Sequence, residues 1–93
     1  MARFEFGAGD PALMETVSGG VITTAETYFR LGLQYANGRD VERCNVEAHK
    51  WFNIAALKGE RRAAMYRQDL AEEMSRDEMS RAQKKAREYL AKH

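Results

Sequence analysis

From Ala25 to Ala64 apolar residues return every three or four positions, with small and large side chains mixed. Ala25, Tyr28, Leu31, Gly32 and Tyr35 mark one face of a first helix, and Ala48, Trp51, Phe52, Ala55 and Ala56 mark one face of a second. Such spacing belongs to amphipathic helices whose apolar stripe meets a neighbour. A glycine closes each half. Asn37-Gly38 ends the first helix, with Gly38 suited to the left-handed conformation, and Gly59 ends the second. Gly32 lies inside the first helix, where glycine costs about 1 kcal/mol relative to alanine. The expected compensation is close approach of another helix. Thr23-x-x-Glu26 reads as a capping box opening the first helix, and Asn45 as the cap of the second. The connecting segment Arg39–Cys44 is polar except for Val41, which is expected to tuck inward.

Beyond Gly59 the pattern weakens but stays helical. Ala63, Ala64, Tyr66 or Arg67, Leu70 and Met74 are spaced for a third, partly buried helix over about residues 61–74. Ser75-x-x-Glu78 is a second capping box. It opens a fourth helix to about residue 91, with Met79, Ala82, Ala86, Tyr89 and Leu90 on one side. No stretch alternates with the period of a strand, so the expected class is all-α. The organisation expected is a helical hairpin with a two-helix C-terminal cap over residues 24–93, preceded by an arm over residues 1–23.

That arm carries the only proline, Pro11, and four of the seven glycines. Asp10-Pro11 suits a helix start, and Gly19-Gly20 a stop. Two readings stand side by side. The arm is flexible, as termini usually are, or Phe4, Phe6, Leu13 and Met14 fold back over the hairpin or pack on a partner.

Composition narrows the functional classes. Ninety-three residues allow one domain with a modest core. Fifteen Lys and Arg face 14 Asp and Glu, so net charge does not drive the chain onto nucleic acid or membrane. The balance is uneven, because residues 76–93 carry six basic and three acidic side chains. One cysteine excludes an internal disulfide framework, and two histidines are too few for a protein-only zinc site. The first 20 residues hold Glu5, Asp10 and Glu15 and no apolar run, which fits neither a signal peptide nor a membrane span. A cytoplasmic location is expected.

The stretch 25–64 resembles the Sel-one-like repeat family, relatives of the tetratricopeptide repeats. The resemblance rests on Ala25, Leu31-Gly32, Tyr35, Gly38, Val41, Ala48, Trp51, Ala55-Ala56, Gly59 and Ala63, whose order, spacing and residue types agree together. Asp40 stands where the loop of the family often has a second glycine, and Cys44 where it often has an aspartate supporting the second helix. A second repeat is begun at Ala63 but not completed, since Arg67-Gln68 falls where leucine-glycine belongs. The resemblance implies a tetratricopeptide-like α-α superhelix fold, closed here by a divergent, more polar cap of the kind a solenoid needs at its ends. It also implies a non-enzymatic protein–protein interaction module whose partner is a protein segment or a second copy; a homodimer is favoured because a chain this short gains most from shared burial. In solenoids of this type the first helix of each pair lines the partner-facing surface, which here singles out Thr27, Arg30, Gln34 and Asn37, at i, i+3, i+7 and i+10. Any amphipathic helix has such an exposed stripe.

Other candidates are weaker. Trp51 and Phe52 read as core anchors rather than a stacking platform. Cys44 and His49 straddle a helix start in poor geometry for a metal, and neither has an evident acid, base or ligand partner. Gly7-Ala8-Gly9 lacks the strand, lysine and hydroxyl of a phosphate loop. No cofactor motif, metal-ligand set or catalytic constellation is legible. Arg81, Lys84, Lys85 and Arg87, with Lys92, form a basic helix that serves either as a solvated face or as a contact to nucleic acid or an acidic partner. A small nucleic-acid-associated regulator is therefore the alternative.

Overall fold

A computed structural model describes residues 24–93, and within them every element is a helix: α1 Ala25–Asn37, α2 Asn45–Leu57, α3 Arg61–Ala71 and α4 Arg76–Lys92. The readings made above for residues 1–23, including the Asp10-Pro11 helix start and the packing of Phe4, Phe6, Leu13 and Met14, lie outside the described residues.

α1 opens one residue later than its sequence suggests. Thr24 is the N-cap, and its Oγ1 accepts the Thr27 N–H at 3.3 Å. Thr27 therefore occupies the position a capping box gives to glutamate, and the reciprocal half of the box is missing. Gly38 ends the helix at φ 69°, its N–H donating to the Gln34 carbonyl. Asp40 also adopts a left-handed backbone, φ 64°. Aspartate is among the few residues that tolerate this region, so the loop makes the turn without a second glycine.

The next helix corrects a second capping assignment. Asn45 is the first residue of α2 rather than its cap. Cys44 holds the N-cap position and makes no side-chain capping bond. What fixes the chain there is backbone, the Cys44 N–H reaching the Tyr35 carbonyl at 3.1 Å. Arg43 adds a bond from Nε to the Ala36 carbonyl at 3.0 Å. Val41 is half-buried and stays outside the main core.

α1 and α2 run antiparallel, with Tyr35 beside Cys44 at one end and Tyr28 stacked on Trp51 at the other, ring centroids 5.8 Å apart. They meet closely at Gly32. A Cβ built there would fall 2.5 Å from the Phe52 ring, so only glycine fits. The residues that enter the core are partly unexpected. Phe29, Leu33 and Ala36 are buried, while Leu31 and Tyr35 are half-buried at its edge. On α2 Phe52, Ile54 and Ala55 are fully buried, whereas Trp51 is only half-buried, so the principal anchor is Phe52.

α2 is the centre of the domain, packing against α1, α3 and α4. α3 ends at Ala71, short of Met74, because a turn over residues 72–74 intervenes before the Ser75 cap. Both halves of the Ser75–Glu78 capping box are present, at 2.9 and 3.0 Å. α3 and α4 have little contact with each other, and each rests on α2. α4 runs in the same direction as α2, since Lys85 meets Glu47 and Tyr89 meets Trp51.

Candidate interaction surface

The stripe Thr27, Arg30, Gln34 and Asn37 runs the length of α1. Thr27, Arg30 and Gln34 are half-buried and Asn37 is exposed. At its N-terminal end the Thr27 hydroxyl is 3.2 Å from that of Thr24. Flanking it, Arg62 of α3 pairs with Glu60 at 2.8 Å and Glu26 at 3.6 Å, and lies over the Phe29 ring at 4.6 Å. The Arg62 bond holds the Glu60 carboxyl below its usual range, and the same bond raises the Arg62 guanidinium. A cation laid on an aromatic face shields that ring from water while keeping its own charge partly solvated.

The basic residues of α4 are all exposed, but they are not a uniform positive face. Arg81 pairs with Asp77 at 3.2 Å, and Lys85 reaches across to Glu47 of α2 at 3.4 Å. Lys84 and Arg87 make no ion pair among the described residues. Pairs this exposed contribute little to stability, typically below about 1 kcal/mol, yet they place a carboxylate beside two of the cations that would meet a phosphate.

An aromatic cluster joins α1, α2 and α4. Trp51 lies between Tyr28, stacked at 5.8 Å, and the edge of Tyr89 at 5.1 Å. The two tyrosine hydroxyls are 3.2 Å apart, and this bond, with burial, raises the Tyr89 phenol above its usual range. Lys50 Nζ sits 4.1 Å above the Trp51 ring and 3.5 Å from Glu47. The position a foreign cation would take on this tryptophan is thus occupied by the chain itself. Trp51 is a packing residue at the edge of the core rather than a platform for a ligand.

Recesses among the described residues flank α2. One, of about 520 Å³, lies at its N-terminus between Arg43, Cys44, Asn45, Glu47, Arg81 and Lys85. Another, of about 320 Å³, lies between α3 and α4 and has His49 at its floor. His49 and Cys44 face different recesses, and no group of three or more His, Cys, Asp or Glu suited to a metal occurs among the described residues. No helix among them is long and apolar enough to cross a membrane.

Comparison with known protein families, curated proteins and solved structures finds no match.

The sequence singled out the α1 stripe and the α4 cations, and the structure keeps them on separate elements. It missed the α2–α3–α4 recess. His49, at helical spacing from Phe52 and Ala56, was the available signal, but its companions Arg67 and Gln83 lie 18 and 34 positions further along the chain. The Arg67 bond to Asn53 Oδ1 at 2.8 Å links α3 to α2 in a way no local pattern announces.

Proposed function

We propose that this chain is a small non-enzymatic protein–protein interaction module, a cytoplasmic adaptor built on one Sel-one-like repeat with a divergent cap. The observation that carries the reading is the meeting of Gly32 and the Phe52 ring. Close contact between a small residue of one helix and a large residue of the next is what the 25–64 pattern of the repeat demands. Asp40 adds support, because it takes a glycine-like backbone at the loop position where the repeat pattern often has glycine. The partner surface is the stripe Thr27, Arg30, Gln34 and Asn37 on α1, and the partner is a protein segment or a second copy of the chain. The nucleic-acid reading is weaker, since Asp77 and Glu47 neutralise two of the four central cations of α4.

The test is a paired affinity capture from the native host, with the full chain and an Arg30→Glu, Gln34→Glu variant whose circular dichroism is unchanged. A protein retained by the parent and lost by the variant supports the reading, and so does loss of self-association in sedimentation. Identical retention by both removes the α1 stripe as the partner surface. Binding to nucleic acid with a steep salt dependence would favour the alternative.

A further inference from the structure

His49 is 3 % exposed, and its Nδ1 has no hydrogen-bond partner among the described residues. Buried polar atoms are almost always satisfied, so an orphaned imidazole nitrogen asks for an explanation. It lies at the floor of the cleft of about 320 Å³ between α3 and α4. Half-buried Asn53 and Arg67 stand above it, and exposed Gln68 and Gln83 form the rim. Arg67 Nη1 donates to Asn53 Oδ1, which leaves the Asn53 amide nitrogen as a donor and the rest of the guanidinium fork uncommitted to that bond. No carboxylate lines the cleft. Burial and the nearby Arg67 both lower the His49 pKa, so the imidazole is neutral and the cleft carries the single positive charge of Arg67.

We propose that this cleft is a binding site for a small carboxylate. The guanidinium fork of Arg67 supplies the geometry that matches a planar carboxylate. The amides of Asn53, Gln68 and Gln83 supply neutral donors around it. His49 in its Nδ1–H tautomer adds a buried donor with no partner among the described residues, and the other such donor, Trp51 Nε1, does not line the cleft. The volume, about 320 Å³, lies at the lower end of small-molecule pockets. The site lies across α2 from the aromatic cluster and involves none of the α1 stripe, so it stands or falls independently of the proposed partner surface.

The test is a titration of the full chain with succinate, and separately with a blocked glutamyl peptide, read by nitrogen NMR of the histidine rings. His93, exposed and stacked on Tyr89 at 4.1 Å, is an internal control for bulk ionic effects. The expected result is a saturable shift at His49 with His93 unmoved, together with a rise in the His49 pKa as the bound anion favours imidazolium. Arg67→Gln should weaken the effect by about tenfold or more, as loss of a charge-assisted bond implies. Gln83→Glu changes an exposed rim residue without touching the Arg67–Asn53 bond, and should weaken it as well by like-charge repulsion. Tighter binding of the peptide would assign the carboxylate to a partner's acidic side chain, and tighter binding of succinate to a free acid. Shifts that do not saturate, that appear equally at His93, or that survive both substitutions would overturn the proposal. So would binding of inorganic phosphate with none of either carboxylate.

Discussion

Gly32→Ala sets two opposed effects against each other at one position. Alanine is the better helix former by about 1 kcal/mol, so on an open helix face the substitution would stabilise. In this fold the added Cβ would lie 2.5 Å from Phe52 Cδ1 and Cε1 and 3.1 Å from Cγ. The proximity of Cγ means the ring cannot escape by turning its tip aside and must shift as a body. Phe52 is fully buried, with Phe29 at 5.8 Å and Tyr66 at 5.7 Å between ring centroids. Overpacking of a close-packed core costs about 1–3 kcal/mol and occasionally more. The severity of this contact places it in the upper part of that range, leaving a net destabilisation of about 1–2 kcal/mol. For a domain of this size that lowers the melting temperature by about 4–8 °C per kcal/mol. Thermal unfolding followed by circular dichroism, with urea titration alongside, reads the effect. A double-mutant cycle with Phe52→Leu should recover about 1 kcal/mol of coupling, because the smaller side chain makes room for the methyl. An alanine variant that melts higher than the parent, or a cycle with no coupling, would refute the close approach of α1 and α2 at Gly32.

Two further outcomes follow from burial. Phe52→Ala should cost about 3–5 kcal/mol, the range for deleting a buried aromatic, and more than Trp51→Ala, whose side chain is half-buried at the core edge; urea midpoints give the order, and a larger loss at Trp51 would reverse the assignment of the anchor. The His49 pKa lies below 6.5 in the folded chain, so the unfolded state binds the proton more readily. The neutral-histidine contribution is therefore complete above about pH 6.5 and is lost as pH falls from there towards the folded pKa, at up to about 1.4 kcal/mol per unit. Urea midpoints between pH 7.5 and 5.5 should fall in the parent and fall less in His49→Gln; equal slopes would show that His49 is not the group responsible.

The existence and order of the four helices were legible in the chain because the 3.6-residue period and local stop signals act within a few residues. Ser75-x-x-Glu78 forms its box as written, and Gly38 takes the left-handed turn that its place after Asn37 requires. These are local preferences, and distant packing did not override them. The Thr23 and Asn45 caps failed by one residue, since Thr24 and Cys44 are equally close to the helix starts and tertiary position chose between them. The same holds for the core. Neighbours such as Trp51 and Phe52 sit about 100° apart around a helix, so a stripe identifies the pair but the crossing of the partner helix decides which is buried.

Only the tertiary structure could reveal that α3 and α4 part from each other and rest separately on α2. That arrangement opens the cleft over His49, and it depends on contacts between residues far apart in sequence, which no periodicity encodes. The sequence by itself determined the local backbone: helices, the Ser75 cap and turns. The fold decided which faces meet, which polar atoms are left without partners, and hence where a ligand has something to recognise.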